Sequence, residues 1–196
     1  MSKATVLAEF SDPSGKTRRI SVSEYNEMVF KRDTGHLAEF VYYRFYGRYI
    51  KPFFFRNSVY KKHYKNGFAM LASGCLLIEA LESFYQGTET TQGRGDDVFD
   101  SFFKRSTRFK ELSGVGFYKN IRCGLLHQAE TTGGFVIGRT GPLFESHKKR
   151  INTQKFLEAL DSELQEYKRR LTRSDWDSEL WDNFRRKMRF IIKHCG

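Results

Sequence analysis

Apolar residues recur every three or four positions along most of this chain, the spacing of helices that bury one face. The pattern runs longest between Asn57 and Gln86, where Phe68, Leu71, Cys75, Ile78, Leu81 and Phe84 form one stripe that Leu76 and Leu77 widen. It predicts a single long helix, central to a bundle. Shorter helices are predicted from Ser23 to about Lys31, from His36 to Tyr49, over "DDVFDSFFKRSTRF", and from Ser113 or Gly114 to about Thr131. Two more close the chain, Thr153 to Arg170 and Ser178 to Lys193, with Phe156, Leu160, Leu164, Trp181, Phe184 and Met188 facing inward.

The breaks between these elements carry turn chemistry. Ser23 reads as an N-cap, with Asn26 where a full capping box wants a glutamate. Pro52 ends the second helix and "PFFF" follows as an apolar connector. The period is lost over "GGFVIGRTGPLFES", whose glycines and Phe-Val-Ile run predict a β-hairpin or flap. Residues 1–22, with "SDPSG" between two apolar patches, predict a small strand pair or a loose arm. The expected organisation is an arm and short helix at 1–35, a helical bundle core at 36–132, the hairpin or flap at 133–146, and basic helices at 147–196 packed on the same domain.

Composition narrows the class. Of 196 residues, 39% are hydrophobic and 19 are phenylalanine, enough for a packed core. Lys and Arg outnumber Asp and Glu by 34 to 23, giving a formal charge of +11. That excess favours encounter with polyanions such as nucleic acid or an anionic surface. Cys75, Cys123 and Cys195 are widely spaced, with no CxxC and no Cys/His grouping for zinc, so neither a disulfide framework nor a metal is expected. The N-terminus has acids and a proline where a signal peptide needs an apolar run. The uncharged stretch at 66–78 is too short to cross a bilayer. A soluble, cytoplasmic protein without a membrane partner is expected, and no cofactor.

The chemistry-bearing stretch is "YKNIRCGLLHQAE", residues 118–130. On a regular helix Arg122 and His127 stand about 140° apart, flanking the stripe of Phe117, Ile121 and Leu125 from opposite sides. One helix alone does not pair them. Two copies about a two-fold axis can bring both types into one cleft, and Gly124 can tolerate a distorted turn. RNA carries its own nucleophile, the 2′-hydroxyl. A histidine can move protons to and from the reacting oxygens, and an arginine fork can hold the phosphate. The plain alternative for this spacing is an exposed arginine and a histidine favoured by the helix dipole in a last turn.

Together, "YKNIRCGLLHQAE" and the preceding long helix "GFAMLASGCLLIEALESFYQG" resemble proteins of the HEPN superfamily, over roughly residues 57–131. The resemblance implies a mainly α fold, an antiparallel bundle of four to five helices, here with the small hairpin or flap after the motif helix and a C-terminal helical pair. It implies a homodimer whose motif helices meet, and metal-independent RNA cleavage leaving a 2′,3′-cyclic phosphate. Family members often act as toxins or in anti-phage defence, so an antitoxin or defence-complex partner is expected as well. Arg122 and His127 match the motif's arginine and histidine. The next position, usually polar in active members, is Cys123 here. Other members of the family only bind nucleotides, RNA or partner proteins, and that non-catalytic module is the second reading.

Tyr118, Lys119, Asn120 and Cys123 are within reach of the motif and are candidate substrate contacts, although Tyr118 also suits a packing role. Cys123 and His127 share a helix face, but no oxyanion loop or orienting residue for a cysteine hydrolase accompanies them. Glu79 and Glu82 interrupt the apolar helix. They read as a solvated edge, or Glu79 as a carboxylate that orients Arg122 or His127. Basic clusters at 148–150, 168–170 and 185–187 read as solvated helix ends or as a track for an RNA backbone. "YYRFYGRYIKPFFFR" interleaves aromatics and bases, yet its apolar spacing fits a core helix better.

Overall fold

The computed structural model describes residues 5–11, 16–53 and 56–194. Within them the chain is mainly helical, with eight α-helices, five short strands and two single π-turns. The turn expected at 12–15, part of the connector at 54–55, and Cys195 lie outside the described residues. The chain forms two compact units, one of residues 1–48, 83–90 and 164–196, the other of 49–82 and 91–163.

The first unit begins with β1 (Val6–Ser11) and β2 (Thr17–Ser21), paired antiparallel, so the N-terminal segment is a strand pair. Its second strand runs directly into α1 (Val22–Phe30). The N-cap is Ser21, not Ser23, and the capping box is complete: the Glu24 N–H donates to the Ser21 hydroxyl, and the Ser21 N–H donates to Glu24 at 2.7 Å. The cap lies earlier than the pattern predicts because Ser21 both ends the strand and starts the helix. Helix α2 (Thr34–Phe45) starts at the Asp33 carboxylate, which accepts from the His36 N–H at 3.1 Å. It holds β1 through Arg44, whose buried guanidinium donates to the Leu7 carbonyl, and through Phe10 stacked on Tyr43 at 4.4 Å. A π-turn (Tyr46–Ile50) follows α2. Thus the 42–56 stretch, where described, spends Arg44, Phe45 and Ile50 on burial. The core gathers Tyr25, Phe40, Phe45, Phe84, Trp181 and Phe184, with ring centroids 5.1–6.4 Å apart in contacting pairs. Its last helix, α8 (Glu179–His194), buries Trp181, Phe184 and Met188 as the period predicts.

In the second unit the long helix expected from Asn57 is two helices. The first, α3 (Ser58–His63), is capped by Asn57, and the chain is extended at Tyr64 before α4 (Gly67–Gln86) begins. At Gly67 a Cβ would stand 2.9 Å from the Ile137 side chain, so a neighbouring strand packs on bare backbone where α4 begins. Helix α4 is long and apolar enough to cross a membrane, by length and composition alone. It serves as a core helix instead, with Leu71, Cys75, Leu77, Ile78 and Leu81 fully buried.

Helix α5 (Gly95–Arg105) has Asp96 and Asp97 in its first turn and Lys104 and Arg105 in its last, matching the helix dipole at both ends. Phe99, Phe102 and Phe103 from α5 meet Phe109, Phe117 and Phe156 in a continuous ring cluster with centroids 5.1–6.1 Å apart. That cluster absorbs many of the phenylalanines and fixes the residue just before the motif. Helix α7 (Thr153–Arg173) contributes Phe156.

The expected hairpin is a three-stranded sheet. Its edge strands, β3 (Val136–Gly138) and β4 (Phe144–Glu145), do not pair with each other. Between them lies β5 (Arg150–Asn152), parallel to β3 and antiparallel to β4. Asn152 secures the arrangement: its N–H donates to the Leu143 carbonyl and its side-chain amide to the Gly141 carbonyl. A three-residue strand after a basic turn leaves no alternating pattern to read.

Candidate functional site

The motif helix is built in two parts. Phe117, packed among the ring cluster, leads into a π-turn, Tyr118–Cys123, and a short α-helix, α6 (Gly124–Gln128), completes the element. The i→i+5 hydrogen bonds of a π-turn set residues five apart nearly above one another, which a regular helix does not. Tyr118 and Cys123 therefore meet, and the phenol O–H donates to the Cys123 sulfur. Burial first, then this bond, raises the Tyr118 pKa above its ordinary value. The Arg122 guanidinium lies 5.6 Å from the Tyr118 ring centroid. One widened turn thus collects Tyr118, Arg122 and Cys123 on a single face.

Room for that face is made by Gly95. A Cβ there would come within 1.9 Å of the Tyr118 ring, so the phenol rests on bare backbone at the start of α5.

Arg122 is bound to α4. Its Nε donates to Glu79 Oε1 at 2.6 Å and its Nη2 to Glu79 Oε2 at 3.4 Å. Both side chains are largely withdrawn from solvent, at 20% and 15% exposure. The Glu79 bond pushes the guanidinium further toward its charged form. Glu79 is thus paired with Arg122 and is not turned to solvent. Glu82, one turn on, is buried and paired with Arg105, so neither acid is a solvated edge. Cys75, one turn before Glu79, is a buried thiol whose pKa burial raises.

His127 is different. It sits exposed in the last turn of α6, and among the described residues it has no hydrogen-bond or ion-pair partner. No contact joins it to Arg122 within the chain. Gly124 is not a loose joint: a Cβ would fall 2.4 Å from the Glu130 carbonyl, because the chain doubles back against it after Ala129 turns left-handed at φ 55°.

Asn120 is committed internally. Its amide donates to the Gly116 carbonyl at 3.0 Å and its side-chain oxygen accepts from Thr132 at 3.1 Å, tying the loops on both sides of the motif helix together. Lys119 is exposed. Among the described residues no cluster of His, Cys, Asp and Glu could hold a metal ion.

The basic clusters are partly compensated. Glu145 takes Lys148 and Arg150, each at 2.7 Å, and Lys149 donates to the Gly133 carbonyl. Lys168 pairs with Glu39, Arg169 and Arg170 pair with Glu166, and Arg185 stacks 4.4 Å from the Trp176 ring centroid. Lys62 and Lys65, which the sequence pattern does not single out, stand beside an open groove.

Comparison with known proteins adds no relative: no family model matches the chain, and neither the curated proteins nor the solved structures give a match.

Proposed function

We propose that this protein is a metal-independent endoribonuclease of HEPN type, acting as a homodimer in the cytoplasm as a toxin or anti-phage effector, with a neutralising or defence-complex partner. The observation that carries this reading is the division of labour along one short helix. Arg122 is braced by Glu79, and His127 is exposed five residues on with no competing partner among the described residues.

The chemistry follows from those two environments. The 2′-oxygen of RNA attacks the adjacent phosphorus while its proton passes to a neutral imidazole. The bond from phosphorus to the 5′-oxygen breaks, and an imidazolium returns a proton to that leaving oxygen. A 2′,3′-cyclic phosphate remains. Two His127 side chains from two copies can supply base and acid together. Glu79 engages two of the guanidinium's five N–H groups, so a free edge is left to meet the phosphate as negative charge builds on it. Leu126 and Leu76, each 41% exposed, lie next to His127 and one turn from Glu79, apolar surface that suits a second copy.

The second reading is a non-catalytic RNA-, nucleotide- or protein-binding module. It is favoured by the same ion pair, which serves equally as a cross-link between α4 and the π-turn, and by Cys123 after the arginine.

The experiment is incubation of purified protein with mixed RNA in EDTA, beside Arg122→Ala and His127→Ala. Cleavage by the parent protein to cyclic-phosphate ends, lost in both variants, supports the enzyme. Cleavage unchanged in His127→Ala ends that assignment, and its absence in the parent leaves the binding module.

A further inference from the structure

The second unit contains an open groove of about 430 Å³, walled by the α3–α4 junction on one side and β3 on the other. The volume is within the range of ligand-binding clefts, about 300–1,000 Å³. Lys62, Lys65 and Arg139 line it, together with Phe68 and Ile137, and no carboxylate is among the lining residues. Lys62 and Lys65 are exposed and, among the described residues, have no ion-pair or hydrogen-bond partner. This sets them apart from the clusters at 148–150 and 168–170. Arg139 is held in place by Asn66, which accepts from its guanidinium and donates to the Tyr60 hydroxyl at 2.9 Å.

The apolar part of the groove is unusual for its position. Phe68 belongs to the stripe that α4 otherwise buries, yet it is 41% exposed; Tyr64, at the junction before α4, is 57% exposed and stacks on Tyr60. An exposed ring among cations, with no carboxylate in the lining, is the composition of surfaces that carry unpaired nucleotides: cations meet phosphates and a ring receives a base. Base stacking on a side chain needs a base free of its own partner, which selects single strands over duplex.

We propose that this groove binds single-stranded RNA, with Lys62, Lys65 and Arg139 on the phosphates and the Phe68 ring receiving a base. The choice of RNA rests on the reading of Arg122 and His127 as an RNA-cleaving pair; the groove itself is independent of it. It gives the protein a hold on the strand outside the residues that break it.

The test is fluorescence anisotropy with a short labelled single-stranded RNA carrying 2′-O-methyl riboses, which blocks cleavage by 2′-oxygen attack. Lys62→Gln/Lys65→Gln should weaken binding about tenfold and flatten the dependence on log salt by about 1.4, roughly 0.7 for each phosphate that a lysine no longer neutralises. Phe68→Ala should weaken it about tenfold at unchanged salt dependence, as stacking does. Arg173→Gln/Lys193→Gln removes the same charge elsewhere and should bind as the parent does; an equal weakening there would reduce the effect to net charge and overturn the proposal. Parent-like binding by both groove variants overturns it too, as does a parent protein that binds no strand. So does displacement of the strand by a mononucleotide 5′-phosphate, which would assign the groove to a small ligand. Measured beside His127→Ala cleavage, the two claims separate. Groove variants that bind normally while His127→Ala is inactive sink only the groove; groove variants that lose binding in a protein that cleaves nothing sink only the nuclease.

Discussion

Glu79 Oε1 stands 2.6 Å from Arg122 Nε, joining residues 43 positions apart in the sequence and making one ion pair the tie between α4 and the π-turn. At 15% and 20% exposure the pair is neither a surface ornament nor fully dry. Surface pairs contribute under about 1 kcal/mol, and breaking fully buried ones costs about 3–5 kcal/mol. Glu79→Ala is therefore expected to lower stability by about 2 kcal/mol, between those limits, because it strands a half-buried guanidinium. Urea unfolding at neutral pH measures it. If the enzyme reading holds, RNA cleavage falls as well, since Arg122 loses its aim.

His127→Ala should leave stability within about 0.5 kcal/mol of the parent, because the ring is exposed and partnerless among the described residues. A large destabilisation there would contradict the ring's exposed placement. Any fall in RNA cleavage in this variant then reports on chemistry and not on folding, which makes it the cleanest of the site substitutions.

The two glycines that shape the motif should respond differently to alanine. At Gly124 the new methyl meets a backbone carbonyl at 2.4 Å, and backbone cannot step aside, so stability should drop by about 2 kcal/mol. At Gly95 the obstacle is the Tyr118 ring, which can swing. Gly95→Ala should cost less stability but break the phenol's hydrogen bond to Cys123. Tyrosine absorbance against pH reads this: the phenol titration that is raised in the parent should return toward the ordinary range.

The capping box of α1 gives an acid-dependent prediction. The Ser21 backbone N–H, then its hydroxyl, lower the Glu24 pKa. A carboxylate lowered on folding stabilises the native state above its unfolded value and ceases to do so as pH falls through the native one. The stability gap between the parent and Glu24→Gln should therefore be present at neutral pH and shrink from about pH 4.3 downward. Ser21→Ala removes the cap itself and should cost about 1 kcal/mol. Denaturant midpoints across the acid range check both.

The long amphipathic patterns made α7 and α8 legible to within a few residues, because burial of one face is written at every turn. The same rule ran α3 into α4: Tyr60 and Tyr64 keep the helical beat across a break where the backbone turns extended at Tyr64. Strand β5 is three residues long and takes its meaning from two partners, so no local pattern announces it. At the site, Arg122 and His127 were visible as residue types, and Glu79 as one of two open roles. The π-turn was not, because a single widened turn leaves the composition of "YKNIRC" unchanged. Nor does composition show that Asn120 is consumed by its own loops.

The widened turn at 118–123 has a mechanical consequence. A helix with one surplus residue in a turn holds slack: its hydrogen-bond register can shift by a single step without the rods on either side coming apart. Phe117, wedged among rings, and Gly124, pressed against a returning carbonyl, clamp the two ends, so any such shift would be confined to the six residues between them.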